Sequence, residues 1–264
     1  MTPADFVTLR MSIFMGGLVL FLLLELAVPY RRPSVSKTKR WFINLGMTVF
    51  NSLVLRLVFA GAVLAVSAYV SANHIGLLYL TPLPYWARVV ITVVFLDLLL
   101  WVWHLLNHVV PLFWRFHRVH HTDLNMDVST ATRFHLGELT ISEAIKLGLV
   151  FFLGADILGV LIFESSLVLA AQFQHSSLKI PAWLERFWWV LFVPPSMHRI
   201  HHSVVIKERN SNYGTILSVW DRILGTLIQD TDQGRIKIGV GGHFEQKKLG
   251  LGHLLIMPFT RYVN

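Results

Sequence analysis

The sequence contains no cysteine, and only 14% of its 264 residues are charged. The absence of cysteine excludes a disulfide scaffold, a thiolate zinc finger, a cysteine-ligated iron–sulfur cluster and a cysteine nucleophile. A soluble domain usually carries about 25% charged residues, whereas hydrophobic residues make up 54% of this chain. Such a composition argues against both a disordered protein and an ordinary soluble enzyme, because too little charge is present to cover the apolar surface.

The few charges that are present are unbalanced and give a net charge of +8. In a soluble protein this excess would indicate nucleic-acid binding. In a hydrophobic chain it is typical of basic loops held at the cytoplasmic face of a membrane. We therefore predict no nucleic-acid partner.

Long apolar runs with a single charge each cover residues 12–29, 41–70 and 89–113. Each is long enough to cross a hydrocarbon core of about 30 Å. The first run lacks a small-residue cleavage site, so it is predicted to be a membrane anchor and not a signal peptide. A fourth apolar region, 139–175, would be about 55 Å long as one helix. Because it contains a breaker at Gly154, two short passes or a re-entrant hairpin are predicted.

The loops differ in charge. Five Lys or Arg residues lie within 31–40, and 71–85 contains none. The positive-inside rule then places 31–40 in the cytoplasm. The predicted fold is all-α: an integral-membrane bundle of about four to five transmembrane or re-entrant helices, with a cytoplasmic histidine-rich helical cap.

Thirteen histidines are present, and most follow a pattern. His104 and His108 are four residues apart, and two H-x-x-H-H triplets come later in the chain. On a helix, positions i, i+3 and i+4 share a face, so each triplet is expected to aim three nitrogens at one point. Eight imidazoles exceed the needs of one tetrahedral zinc, which predicts two adjacent metal ions. The triplets are His117, His120 and His121, and His198, His201 and His202.

Two further histidines are candidate ligands, His135 and His175. His175 reaches the site only if the apolar region before it returns to the cytoplasmic side. Asp97 is a candidate to orient a ligand imidazole, or alternatively to pair with Arg56. Glu164 is a second such candidate, since it shares a helical face with His175. The remaining histidines, His74, His243 and His253, are expected to lie outside the site.

The spaced histidine pair and the two triplets are called histidine boxes here. Their order in the chain resembles that of the fatty acid hydroxylase / sterol desaturase superfamily of integral-membrane di-iron oxygenases. The resemblance covers roughly residues 90–230. It includes the Arg133-Phe-His135…Glu138 segment, the Gln174-His175-Ser176 segment and the stretch from Asn212 to Thr226. Two positions depart from the family pattern: Ala171 stands where some members have a further histidine, and Leu136 stands where proline is usual.

The resemblance implies hydroxylation or desaturation of an unactivated C–H bond in a membrane lipid, such as a fatty acyl chain or a sterol. It implies two iron ions, which zinc can replace on purification, with O₂ as co-substrate. Electrons are expected from a separate reductase, ferredoxin or cytochrome, with Arg118, Arg199 and Lys207 as candidate contacts. One membrane domain (1–264) is predicted, with anchor helices in 1–88, a histidine-box catalytic region in 89–230 and a cytoplasmic or interfacial tail in 231–264.

Other metal-binding functions fit the pattern less well. A zinc protease would need H-E-x-x-H, but Leu105 and Arg118 follow the first histidines of the boxes. A haem carrier needs only axial pairs. A membrane metal transporter or metal-storage protein remains the alternative, although transporters place their ligands near the bilayer midplane.

Overall fold

The computed structural model describes residues 3–260, and its regular structure is helical. The helices are α1 (Pro3–Ala27), α2 (Lys37–Phe59), α3 (Ala62–Asn73), α4 (Tyr85–Val109), α5 (Pro111–His121), α6 (Leu136–Leu153), α7 (Ile157–His175), α8 (Ala182–Trp188), α9 (Pro195–His201), α10 (Ile206–Arg209), α11 (Val219–Ile223) and α12 (Leu251–Ile256). Short 3₁₀ turns lie between them. Within residues 3–260 there is no β-strand, only isolated bridges such as Pro29 with Leu178. The all-α prediction is confirmed.

Four helical segments are long and apolar enough to cross a membrane: Asp5–Ala27, Lys37–Tyr79, Tyr85–Val109 and Ile157–His175. Helix α7 packs against both α1 and α4. Large apolar side chains point outward from this bundle, and Leu57 is 86% exposed. Outward apolar surface of this kind suits lipid and not water. The chain is therefore an integral membrane protein, as predicted.

Two of the predicted spans end earlier than expected. The run 41–70 is interrupted at Gly61, which has a φ of 70° and separates α2 from α3. The run 89–113 stops at Val109 because Pro111 follows closely. The residue before a proline avoids the helical region, and Val110 is accordingly extended, so Pro111 begins a new helix.

The region 139–175 forms two helices, as predicted. Gly154 closes α6 in a left-handed conformation, and the Asp156 carboxylate caps α7 by accepting from the backbone N–H of Leu158. Helix α6 begins and α7 ends at the histidine boxes, where His175 lies 3.0 Å from His120 between their Nε2 atoms. The return of the chain therefore delivers His175 to the site.

A buried polar network supports the segment that follows α5. Arg40, at the start of α2, donates to both carboxylate oxygens of Asp123 and to Asp127. Burial alone would raise the pKa of Asp123, but the Arg40 and Arg133 guanidiniums hold it well below its usual range. Arg40 was counted above as a loop charge, and the structure corrects this, because its side chain is only 3% exposed.

The tail packs into the molecule instead of lying only along the interface. Leu254 and Met257 are fully buried with Met47 of α2 and Val119 of α5. The Arg118 guanidinium donates to the carbonyl oxygen of Met257. The assignment of 231–264 to the cytoplasm stays a prediction, and residues 261–264 lie outside those described.

Candidate metal centre

Nine buried histidines converge into two groups, and each group presents nitrogens within 4.8 Å of one another. The first group, called here the five-histidine group, contains His104, His108, His117, His121 and His201. The second, called the four-histidine group, contains His120, His175, His198 and His202. The ligands come from α4, α5, α7 and α9, together with the residue that follows α9.

Each H-x-x-H-H triplet divides between the two groups, which differs from the expectation of one shared point. His117 and His121 join the five-histidine group, and His120 joins the other. In the second triplet His201 joins the five-histidine group, and His198 and His202 join the four-histidine group. The reason is helical geometry: at about 100° per residue, positions i and i+4 diverge by only about 40°, whereas i+3 and i+4 diverge by about 100°.

Backbone carbonyls orient several of the imidazoles. Nδ1 lies 2.7 Å from the Tyr213 carbonyl oxygen in His104, and 2.8 Å from that of Ser211 in His201. In His175 it lies 2.6 Å from the carbonyl oxygen of Ala171. A carbonyl oxygen can only accept, so Nδ1 must carry the proton. Each Nε2 atom is then unprotonated, and its lone pair faces the site.

Facing lone pairs need a cation between them. His120 also donates through Nδ1, to the Arg133 carbonyl at 3.3 Å. Its Nε2 nevertheless lies 3.0 Å from Nε2 of His175, where neither atom has a proton to offer. Two nitrogens that each lie about 2.1 Å from one metal ion would be about 3.0 to 3.4 Å apart. The spacing therefore fits two ligands of one ion.

The five-histidine group shows the same need. The Nε2 atoms of His104, His108 and His201 are buried and have no hydrogen-bond partner among residues 3–260. A buried polar atom without a partner costs free energy. Metal coordination would remove that cost, so both groups fit metal ions.

Electrostatics favours neutral ligands and a positive occupant. Burial, followed by the neighbouring imidazoles, lowers the pKa of His120, His121 and His202 well below the usual value of 6.5. These imidazoles are therefore unprotonated at neutral pH, which metal binding requires. Helices α5 and α9 end at the boxes, and the negative end of a helix dipole favours a cation.

A carboxylate stands behind one ligand. Glu138 accepts a hydrogen bond from Nδ1 of His117 at 2.8 Å, and it is buried at the start of α6. Such a partner fixes the tautomer of a metal-bound imidazole and raises its basicity. Sequence reasoning did not assign Glu138 this role, although the residue belongs to the Arg133–Glu138 segment that carries the family resemblance.

The loop after α10 holds three ligands of the five-histidine group. Besides the carbonyls of Ser211 and Tyr213, Asn210 accepts from Nδ1 of His108 at 3.3 Å. The buried carboxylate of Asp221 accepts from the backbone N–H of Tyr213 at 2.8 Å and from Trp101 at 3.0 Å. Asp221 thereby ties this loop to α4. Of these residues, Tyr213 and Asp221 belong to the stretch from Asn212 to Thr226 that carries the family resemblance, whereas Asn210 and Ser211 lie just before it.

His135 lies outside both groups. Its Nδ1 accepts from the backbone N–H of Gly137 at 2.9 Å, and its Nε2 donates to the Leu255 carbonyl at 3.0 Å. With both ring nitrogens engaged, His135 caps α6 and holds the tail. The expectation that it binds metal gains no support.

The two candidate acids do not contact the imidazoles. Asp97 accepts from Trp220 at 2.8 Å and from the backbone of Leu217 at 3.3 Å, so it supports the 217–220 segment. Among the described residues neither a histidine nor Arg56 bonds to it. Glu164 pairs with Arg10 at 3.0 Å and with Lys146, about 16 Å along α7 from His175.

Two of the three cations considered for docking an electron donor are buried. Arg118 is 0% exposed and Arg199 is 3% exposed. The Arg199 guanidinium lies 3.7 Å from the centre of the Tyr30 ring and donates to Gln233. These two residues stabilise the cap from inside, and only Lys207 remains at the surface.

Comparison with known proteins points to lipid hydroxylases. The chain is 30% identical over 177 residues to ornithine lipid hydroxylase OlsE of Rhizobium tropici (66% of this chain, 51% of the relative). It is 31% identical over 140 residues to human cholesterol 25-hydroxylase (50% and 47%). It is 25% identical over 197 residues to alkylglycerol monooxygenase of Xenopus tropicalis (72% and 42%). The chain spans about half the length of these relatives or less.

No solved structure matches the chain significantly. The model of the family described as fatty acid hydroxylase matches residues 89–226, which is more than half of the chain. That range contains all nine clustered histidines, Glu138 and Asp221. This chain belongs to the fatty acid hydroxylase family.

Proposed function

We propose that this protein is a membrane-bound di-iron oxygenase that hydroxylates an unactivated C–H bond of a lipid. The observation that carries the proposal is the convergence of nine buried histidines into two adjacent groups at one end of a membrane bundle. Hydroxylation is favoured over desaturation because the relatives described above are named hydroxylases or monooxygenases.

The donor set suits iron. Imidazole nitrogen is a good ligand for iron, and neither group needs a thiolate, which the chain lacks. The five-histidine group would hold one ion and the four-histidine group the other. When bound, such a pair supplies the O₂ activation that oxidation of an unreactive C–H bond requires.

The protein's own residues orient the ligands and exclude water. Every clustered histidine is at most 9% exposed. The Trp114 ring covers the five-histidine group, with its centre 5.1 Å from that of His108 and 5.5 Å from that of His121. Exclusion of water protects reactive species from side reactions. A substrate dissolved in the bilayer would reach the centre between the membrane helices.

The cytoplasmic location of the centre and an external electron donor are also part of the proposal. The loop between α1 and α2 keeps Arg31 and Arg32, and Lys39 lies in the first turn of α2, after the burial of Arg40 is taken into account. The loop 71–85 at the opposite end of the bundle has no Lys or Arg. This asymmetry supports the positive-inside assignment. The chain contains no flavin or nicotinamide motif, so electrons would come from a partner.

The test compares lipid extracts of cells with and without the protein by mass spectrometry. The wild-type protein is expected to yield a lipid with one added oxygen atom and to hold close to two metal ions. His120→Ala and His201→Ala each remove a ligand from a different group. Each variant is expected to retain about one metal ion, because the other group is intact, and to form no product.

His253→Ala is the matched control, since His253 belongs to neither group and should leave activity unchanged. Full activity in both ligand variants would refute the site. Metal flux into vesicles without any oxidised lipid would instead favour a transporter. Zinc in the purified protein would not contradict iron, because zinc binds such sites tightly.

A further inference from the structure

A basic groove lies on the cap, next to the loop that joins α1 and α2. It encloses about 400 Å³. Arg31, Arg32 and Lys237 contribute three cations, and Leu124 and Ile238 contribute apolar wall. None of the lining residues is a carboxylate. Three acids lie within two positions of a lining residue along the chain. Those at positions 123 and 127 are bound to a buried arginine, and Glu245 pairs with Lys248 at 2.6 Å.

Asn125 adds a hydrogen-bond donor that has no acceptor in the described part of the chain. It lines the groove and is only 8% exposed. Its Oδ1 accepts from the backbone N–H and the hydroxyl of Ser34, both at 3.1 Å. The Ser34 N–H can only donate, so this contact fixes which end of the amide faces it. Within residues 3–260 the Nδ2 group is therefore buried without a hydrogen-bond partner, as an acceptor in the groove would require.

The position of the groove brings it to the membrane surface. Its lining residues at 31, 32, 34 and 35 belong to the short loop between two membrane spans, Asp5–Ala27 and Lys37–Tyr79. Such a loop lies at the level of lipid headgroups. An oxyanion that reaches this groove from the bilayer is thus a headgroup.

The groove also lies next to the segments that follow the two H-x-x-H-H triplets. Leu124 and Asn125 closely follow His121. On the other wall, Ile238 forms a β-bridge with Ser203, which directly follows the second H-x-x-H-H triplet. An occupant would therefore contact both segments that leave the metal ligands.

We propose that this groove binds the anionic headgroup of a membrane lipid, with the phosphate as the group recognised. Arg32 and Lys237 supply charge, Asn125 supplies its unused N–H, and the apolar wall takes the glycerol and first methylenes. Charge-assisted hydrogen bonds of this kind are the strong ones. The proposal does not depend on metal chemistry, because it concerns binding alone.

The experiment measures lipid retention by the full-length, metal-loaded protein in detergent, using native mass spectrometry. Phosphatidic acid and phosphatidylcholine are the probes, and inorganic phosphate is the competitor. Asn125→Asp keeps the oxygen that Ser34 needs but replaces the free donor with a negative charge. Arg32→Gln combined with Lys237→Gln removes two exposed cations. Arg235→Gln is the control, because it removes one charge that lies outside the groove and is 89% exposed.

The wild-type protein is expected to retain phosphatidic acid in preference to phosphatidylcholine. Both groove variants should weaken that retention by about tenfold or more, and the control should not. Competition by inorganic phosphate at millimolar concentration would support the phosphate as the recognised group. Equal retention of the two lipids, or equal retention by the wild-type protein and both groove variants, would overturn the proposal. Binding of inorganic phosphate without retention of phosphatidic acid would also overturn it.

Discussion

Six of the nine clustered histidines place Nδ1 against an oxygen acceptor. The acceptors are the backbone carbonyls of Arg133, Ala171, Ser211 and Tyr213, the amide oxygen of Asn210 and the carboxylate of Glu138. Each contact directs Nε2 toward the interior of its group as a lone pair. These contacts hold six of the nine imidazoles in one orientation, which would reduce the entropy lost when a metal ion binds.

Among these acceptors only Glu138 is charged, and we predict that Glu138→Gln weakens metal binding to the five-histidine group by about tenfold or more. The amide oxygen can still accept from His117, so the imidazole keeps its orientation. The lost negative charge lowers the basicity of the ligand. A titration with a competing chelator measures the affinity.

Glu143→Gln is the matched control for that change. Glu143 lies on the same helix, but its partner is Lys146 at 2.8 Å and not a ligand histidine. Its replacement should leave metal affinity unchanged. An equal loss in both variants would show that Glu138 acts through the stability of α6 and not through His117.

At the scale of elements, two loops meet closely at the end of the bundle opposite the metal centre. Gly76 and Gly154 both have positive φ, of 111° and 75°. A Cβ on Gly76 would overlap the backbone of Gly154, and one on Gly154 would overlap the carbonyl oxygen of Ile75. This contact fixes where α6 ends and α7 begins. It therefore contributes to the direction in which α7 returns to the site.

We predict that Gly154→Ala destabilises the protein by about 1–3 kcal/mol, because alanine is strained at this φ and its Cβ has no room. Thermal unfolding in detergent measures the change. Gly148→Ala on α6 is the control, since nothing lies within 4 Å of its added Cβ. Alanine there should be neutral or slightly stabilising, because it favours helix. A Tm for Gly154→Ala as high as that of the control would contradict the close contact.

The tail supports the site, although none of its described residues belongs to either histidine group. Arg115 donates to the Thr260 carbonyl at 3.2 Å, and His135 donates to that of Leu255. Together with the bond from Arg118 to Met257, these contacts hold the tail against α5. Helix α5 carries one complete histidine triplet, so its placement depends partly on residues more than 100 positions away.

For the whole molecule, the metal centre exists only in the folded chain. Its nine histidines lie on four helices and at the residue that follows α9, between positions 104 and 202. An unfolded chain would scatter these nitrogens, so a metal ion would bind the native state preferentially. A bound metal would then contribute to the stability of the fold that creates its site.

We predict that removing the metals with a chelator lowers the Tm by about 5 to 10 °C, since a ligand at 100 times its Kd adds about 2.7 kcal/mol. Unfolding monitored by intrinsic tryptophan fluorescence measures this change. Adding back iron under anaerobic conditions should restore the original Tm. An unchanged Tm after complete removal, verified by elemental analysis, would contradict binding at the converged histidines.

The sequence alone determined the helical membrane architecture, the histidine boxes and the family. Apolar runs and H-x-x-H-H spacing are local patterns, and a hydrocarbon core leaves few structures other than helices for such runs. The end of a helix at Gly154 is likewise indicated by the residues at that point of the chain. These features could be predicted without knowing which distant segments meet.

Only the tertiary structure decided how the histidines divide into groups of five and four, and that His135 caps a helix instead. It also decided that Arg40 is buried and that Glu138 supports a ligand. Each of these outcomes depends on side-chain direction and on partners far apart in the chain. Arg40 and Asp123, for example, are 83 positions apart. Spacing along one helix can show that ligands share a face, but it cannot show what stands opposite that face.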